Sequence, residues 1–271
     1  MVNKDADKPL LKHQILNSLR LFNEKYRDEY GQMVICCDSH SWRKDYFEYY
    51  KASRKTGREK DEETKQHWDT IYSVIAEMID DLKENFPYKV IKVHGAEADD
   101  VIGTLAYHTQ EFGNDEKVMI VSSDKDFAQL LKFKNVKQFS PMKAKLVEEK
   151  NPEQFLVEHI LKGDSSDGIP NVRSPDNIFT VEGRQTPVSK KFIQSVLDAD
   201  WREDSTVWND EIARNYDRNK MLIDLSCTPN DIKQEIINIY NTDDVAPKSK
   251  VLPYLISNRM NMLIESVSDF L

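Results

Sequence analysis

Apolar positions recur at helical spacing between Pro9 and Tyr30, where Ile15, Leu16, Leu19 and Phe22 share one stripe. Gly31 ends that helix, and Met33–Cys37 is a short apolar run of strand type that closes on Asp38. A longer amphipathic helix is expected over 62–85, with Trp68, Ile71, Ile75, Met78 and Leu82 on its apolar face. Strand patterns follow at 89–93 and 117–122, and a hairpin pair at 136–139 and 145–147. Between them, Gly95-Ala96-Glu97-Ala98-Asp99-Asp100 opens a helix to about Phe112, and Asp126 begins another to Leu131. After Asn151 the pattern turns helical: 152–162, then near 189–197, 207–225, 229–240 and 253–270, with Gly and Pro gathered between 163 and 187. Alternating strands and helices predict an α/β fold, a mostly parallel central sheet with helices on both faces, followed by an α-helical C-terminal part. The expected domain division is 1–150 and 151–271.

Composition narrows the class. The 271 residues are 39% hydrophobic and 31% charged, enough apolar material for a core and too much for a disordered chain. No apolar run approaches the ~20 residues of a membrane span, and the N-terminus lacks an apolar signal core. Cys36, Cys37 and Cys227 fit neither a disulfide framework nor a zinc set, which suits a reducing cytoplasm.

A net charge of −9 argues against nucleic acid until the acids are located. Eight of them fall in four tight places: Asp38; Glu97, Asp99 and Asp100; Asp124 and Asp126; Asp164 and Asp167. Set aside as ligands of divalent cations, they leave a surface near neutrality that can carry basic patches. Three of the groups follow strands, and ligands of open parallel sheets bind beyond the carboxyl ends of strands. Carboxylates gathered this closely repel one another unless cations neutralise them. Oxygen-only ligands favour Mg²⁺ or Mn²⁺ over zinc. Two such ions ~4 Å apart can activate a water and stabilise the leaving oxygen of a phosphodiester. The bland reading is that each Asp merely caps a turn or helix. It weakens when three groups meet at one sheet edge.

The fourth group, Gly163-Asp164-Ser165-Ser166-Asp167-Gly168, is a tight turn after a helix, followed by Arg173, Arg184, Lys190 and Lys191. Such a turn with basic residues nearby can grip a phosphate backbone. The segment Trp42–Lys60 carries seven basic residues against three acidic, interleaved with Trp42, Tyr46, Phe47, Tyr49 and Tyr50. Cations there can meet phosphates while rings stack on bases; the alternative is a helix whose Tyr46 and Phe47 face the core. The six histidines show no pairing at metal spacing and read as ordinary. There is no Ser-His-Asp arrangement and no glycine-rich phosphate loop.

Five motifs then resemble the 5′-nuclease family of flap endonucleases, 5′-exonuclease domains of bacterial DNA polymerases and phage exonucleases. They are Ile35-Cys36-Cys37-Asp38, Tyr50-Lys51-Ala52-Ser53-Arg54, Glu97-Ala98-Asp99-Asp100, Ser123-Asp124-Lys125-Asp126 and the Gly163–Asp167 run, in the family's order. Trp42–Tyr46, Phe139–Met142 and Thr180–Pro187 resemble phage members in particular.

The resemblance implies a PIN-like nuclease core over 1–150 with a helical arch at about 42–85. It implies a helical domain over 151–271 that carries a helix–three-turn–helix for duplex DNA. It implies two Mg²⁺ ions, replaceable by Mn²⁺: Asp38, Glu97, Asp100 and Asp124 at the first, and Asp126, Asp164 and Asp167 at the second, often through water, with Asp99 a further metal-site residue assigned to neither ion. Lys51 and Arg54 take the catalytic phosphate-binding positions. Tyr50, Arg43, Lys55, Arg58, Arg173, Arg184, Lys190 and Lys191 fall to nucleic-acid contact. The family's helix–three-turn–helix often holds K⁺, whereas here its glycine-rich return is replaced by Asn171–Pro175 and a longer insertion.

The implied activity is Mg²⁺-dependent 5′-3′ exonuclease, flap endonuclease and ribonuclease H cleavage of RNA/DNA and DNA duplexes, serving primer removal in phage replication. The implied partners are duplexes with 5′ ends or flaps and a phage single-stranded-DNA-binding protein. The implied state is a monomer in the cytoplasm of an infected bacterial host, away from membranes. The family also begins with a strand ending in a ligand Asp, and Asp5 and Asp7 follow no apolar run. The expectation is therefore an upstream segment of about 15–30 residues whose apolar run of ~4–5 ends in Asp. The competing expectations are a truncated relative that binds branched DNA and cleaves poorly, and a small PIN-type ribonuclease, against which the basic segment and the Gly163 turn argue.

Overall fold

The structure, a computed structural model, describes residues 8–54, 61–111, 114–181, 183–198 and 208–271. Its elements in chain order are α1 (Lys8–Tyr30), β1 (Val34–Cys36), α2 (Trp42–Tyr46), α3 (Glu62–Asn85), β2 (Lys89–Ile91), α4 (Ala98–Gln110), β3 (Val118–Val121), β4 (Val136–Ser140), β5 (Lys145–Leu146), α5 (Pro152–Lys162), α6 (Lys190–Asp198), α7 (Asp210–Ile223), α8 (Asn230–Thr242), α9 (Val251–Ser257) and α10 (Asn261–Ile264). They form two compact units whose chain segments interleave: residues 1–37, 56–93 and 235–271 in one, 38–55 and 94–234 in the other.

In the first unit β1 and β2 pair in parallel, with Ile35 opposite Val90. α1 and α3 cover a core that includes Leu16, Val74, Met78, Leu82, Phe86 and Leu255. α3 starts where Asp61 accepts a hydrogen bond from Thr64 N, a side-chain cap on an otherwise unsatisfied donor. The single helix expected over 253–270 is broken instead. Arg259 sits at φ 56°, Met260 N bonds back to Leu255 O, and α10 and a 3₁₀ turn at Val267–Phe270 follow. The break lets both Leu255 and Phe270 bury in one core, which a straight ~27 Å helix could not do.

In the second unit β3 and β4 are parallel and β4 and β5 antiparallel. The α/β pattern is therefore present, with its parallel pairing distributed over two small ladders. Ile120, Phe127, Leu130, Val136 and Leu225 pack together in this unit, and Phe47, Ile160, Leu161, Ile169, Tyr216 and Ile223 form a second cluster. The helix expected after Asp126 is a 3₁₀ helix over Lys125–Lys132, begun by the Asp124 carboxylate accepting from Asp126 N.

The turn at 163–170 is the most constrained piece of backbone. Gly163 has φ 65°, and a Cβ there would stand 2.4 Å from Ile169 O. Gly168 has φ 72°, and its Cβ would stand 2.6 Å from Tyr49 O. Only glycine fits either place. Lys51 N donates to Asp167 O at 2.7 Å, so the turn and the middle of the basic segment are stitched together through backbone. From α7, Asn219 Nδ2 donates to Ile160 O and Pro170 O, each at 2.8 Å, and Asn215 Nδ2 donates to Val172 O at 3.0 Å. Both asparagines are wholly buried, so the turn is held by a satisfied polar network.

Candidate active site

All the described acidic candidates lie in the second unit. Asp38, exposed, accepts from Ala98 N at 2.8 Å and so caps the first turn of α4. Glu97 is buried at the head of α4. Its Oε1 accepts from Lys51 Nζ at 2.6 Å, and its Oε2 accepts from Ser41 Oγ and Tyr50 OH, each at 2.8 Å. Burial opposes ionisation of Glu97, but Lys51 first and then Arg43 outweigh it and hold its carboxyl below the usual range. Lys51 answers in kind: despite its own burial, Asp167 and Glu97 hold its ammonium above its ordinary value. Asp167 also takes the guanidinium of Arg54 and lies 3.5 Å from Lys51 Nζ.

Asp99, Asp124 and Asp126 complete the acidic patch. Burial, then Asp124, push the Asp99 carboxyl up to about 7. Burial pushes Asp126 up to about 6, with Asp124 and Asp164 adding to it and His159 opposing. These two carboxyls are held among like charges at a cost, as expected where a cation belongs. Asp164 behaves differently. Its Oδ1 accepts from Ser166 N at 2.8 Å and Ser166 Oγ at 2.6 Å, and its Oδ2 lies 2.8 Å from Lys125 Nζ. Although burial opposes it, hydrogen bonds from His159, Lys125 and Ser166 hold its carboxyl well below the ordinary range.

Two expected residues sit where their side chains serve the protein interior. Asp100, expected among the ion ligands, is completely buried. Its Oδ2 accepts from Arg43 at 2.8 Å and Glu97 N at 2.9 Å, and its Oδ1 accepts from Thr228 Oγ1 at 2.8 Å and Trp42 Nε1 at 3.2 Å. Four donors thus occupy both oxygens. Arg43, expected on nucleic acid, is 2% exposed and gives its donors to Asp100, Glu97 and Leu222 O. The reason is shared: a guanidinium and a carboxylate removed from water must pair with each other. Tyr50 and Phe47 are buried as well, and Tyr46 is half-exposed.

Arg54 is exposed beside Asp167. Arg173, Arg184, Lys190 and Lys191 are exposed, with Arg173 anchored by a 3.0 Å bond to Pro187 O. Lys55 and Arg58 lie outside the described residues. One residue that the sequence pattern passed over belongs here: His159, 7% exposed, lies 3.5 Å from Asp126 and 3.4 Å from Asp164. Its spacing to Asp164 was visible in the chain. Its approach to Asp126, on a different element, was not.

Asp126, His159 and Asp164 bring their ligand atoms within 4.8 Å of one another, a grouping that could hold a metal ion. Asp126 Oδ1 is buried without a hydrogen-bond partner among the described residues, which fits a cation in that position. Residues 5–159 match the family described as 5'-3' exonuclease, N-terminal resolvase-like domain. The chain therefore belongs to the 5′-3′ exonuclease family, and it is a nuclease of that family.

Residues 151–270 match a second family, the C-terminal part of T4 RNase H. Among individual relatives, the chain is 35% identical over 270 residues to the ribonuclease H of Enterobacteria phage T4, covering 96% of this chain and 87% of that one. It is 31% identical over 159 residues to a 5'-3' exonuclease of Buchnera aphidicola, covering 56% of this chain and 51% of the other. In fold it is similar to T5 5'-exonuclease solved with divalent metal ions (zinc) bound, at TM-score 0.58 and 18% identity over 88% of this chain and 92% of that one. A complex of the T5 D15 flap endonuclease with DNA and metal ions gives TM-score 0.52 at 18% identity, covering 90% and 89%.

Proposed function

We propose that this chain hydrolyses phosphodiesters at the 5′ ends and flaps of RNA/DNA and DNA duplexes, with Mg²⁺ as its cofactor, and removes RNA primers during phage DNA replication. The observation that carries this reading is the ammonium of Lys51, held between Glu97 and Asp167 at the rim of a carboxylate cluster. A phosphate drawn to that cluster would meet Lys51 and Arg54 on arrival.

Asp38, Glu97, Asp99 and Asp124 would hold one ion. Asp126 would hold the second, with Asp164 and Asp167 acting through water. When bound, such ions supply Lewis acidity toward the attacking water and the leaving oxygen. The chain's own groups do the rest. Lys51 and Arg54 neutralise the charge that grows on the phosphate in the transition state. Asp100 fixes Arg43, and Arg43, Ser41 and Tyr50 together fix Glu97. Arg173, Arg184, Lys190 and Lys191 grip the duplex backbone at the Gly163 turn and the helix beyond it. The phage relative makes the cytoplasm of an infected host the proposed setting, with a monomer as the state and a single-stranded-DNA-binding protein as partner.

The test is a 5′-labelled RNA–DNA duplex incubated with the protein, with and without Mg²⁺. Short labelled products only in the presence of the ion are expected. Duplex binding without cleavage under either condition would replace this reading with that of a DNA-binding relative.

A further inference from the structure

We propose that His159 is a metal ligand through Nδ1, and that with Asp126 it makes a mixed nitrogen–oxygen site that takes first-row transition-metal dications, Mn²⁺ among them, more tightly than Mg²⁺. The inference rests on the reading above that Asp126 faces an ion.

α5 carries His159 one turn ahead of Gly163, whose N–H bonds to His159 O at 2.8 Å. The imidazole is 7% exposed. Its Nε2 lies 3.4 Å from Asp164 Oδ2, and its Nδ1 lies 3.5 Å from Asp126 Oδ1. Nδ1 and Asp126 Oδ1 are both buried, and neither makes a hydrogen bond among the described residues. A buried histidine nitrogen beside a buried carboxylate oxygen would ordinarily close a hydrogen bond. Here the two stand side by side instead. Neighbouring ligands of an octahedral ion, with bonds near ~2.1 Å, stand ~3 Å apart, close to this separation.

The surroundings fix which nitrogen is available. Asp164 already accepts from Ser166 twice and pairs with Lys125. Its remaining contact is with Nε2, so it holds the proton there and leaves the lone pair on Nδ1, turned to Asp126. A carboxylate that fixes the far nitrogen of a ligating imidazole is a recurrent outer-shell arrangement. Imidazole suits transition metals, whereas Mg²⁺ keeps oxygen ligands and sheds water reluctantly. Substituting nitrogen for one oxygen therefore shifts the preference away from Mg²⁺ toward first-row transition metals, of which Mn²⁺ is the paramagnetic probe.

The experiment is Mn²⁺ titration of the metal-free full chain and of His159→Gln, with the bound ion observed by pulsed EPR and Mg²⁺ affinity measured by calorimetry. The expected result is nitrogen modulation that changes on ¹⁵N-histidine labelling and disappears in His159→Gln. Mn²⁺ affinity should fall ~10-fold or more in the variant while Mg²⁺ affinity changes less than ~2-fold. Should His159→Gln fail to fold, Asp126→Asn must lose the nitrogen-coupled ion. Bound Mn²⁺ without nitrogen modulation, or modulation that persists in these variants, overturns the assignment and leaves the nuclease reading standing. A wild-type chain that binds neither ion overturns both.

Discussion

Lys51 Nζ lies 2.6 Å from Glu97 Oε1, and Lys51 is held in the left-handed region at φ 54° to place it there. A non-glycine residue at positive φ carries strain, and strain of this kind gathers at functional sites. The same residue gives its backbone N–H to Asp167 O. One lysine thus joins the head of α4 to the Gly163 turn by its side chain and its main chain at once.

Replacing Lys51 with Ala should slow Mg²⁺-dependent cleavage ~100-fold or more, the scale seen when one transition-state charge partner is lost. Folding should change far less with Mg²⁺ present, because bound cations then neutralise Glu97 and Asp167. Single-turnover rates beside melting curves check this. Unchanged turnover would remove Lys51 from the phosphate site.

Changing Asp126 to Asn should weaken divalent-ion binding and relieve repulsion in the metal-free protein. The metal-free variant should melt at the same temperature as the wild type or higher. Asp124→Asn should do likewise, since Asn can still accept from Asp126 N and cap the 3₁₀ helix. A clear drop in metal-free melting temperature for either variant would favour a purely structural role.

The metal-free protein should lose stability as pH rises. Asp99 and Asp126 are pushed from an ordinary value of 3.8 up to about 7 and about 6. The folded chain therefore keeps protons that the unfolded chain has released, and stability declines as pH climbs through that window. Glu97 and Asp164 are shifted the other way, so their stabilisation is already present above the ordinary carboxylate range and fades only on acidification. Melting from about pH 5.5 to about pH 8 should show the decline, Mg²⁺ should reverse it, and the double variant Asp99→Asn, Asp126→Asn should flatten it. A metal-free melting temperature that rises across this range would contradict the account.

The acidic motifs, the turn glycines and most element boundaries were legible in the sequence, because strand-end acids and positive-φ glycines are local signals. The burial of Arg43 and Asp100 was not legible, since one reads as a cation of a basic run and the other as one more acid, and only the fold brings them against each other. The break at Arg259 has no glycine to mark it. His159 needed the third dimension, because Asp126 reaches it from another element. The hold of Asn215 and Asn219 on the Gly163 turn was likewise invisible, each lying more than 40 residues from its acceptor.

That hold gives a stability prediction. Asn219→Leu strands Ile160 O without its side-chain donor, leaves Pro170 O to Arg218 alone, and should lower stability by ~2–3 kcal/mol. Gly168→Ala forces a Cβ against Tyr49 O and should also destabilise the chain, while weakening duplex binding through the displaced turn. Urea unfolding and duplex titration measure both. Loss of duplex affinity in neither variant would detach the turn from DNA.

The most direct test of the carboxylate cluster compares the wild-type chain with Asp126→Asn on a 5′-labelled RNA–DNA duplex, following cleavage and duplex binding in the same samples. The account predicts Mg²⁺-dependent release of short 5′ products by the wild type, and loss of that release in Asp126→Asn with duplex binding retained. Cleavage that survives either the substitution or removal of divalent ions by a chelator would contradict it.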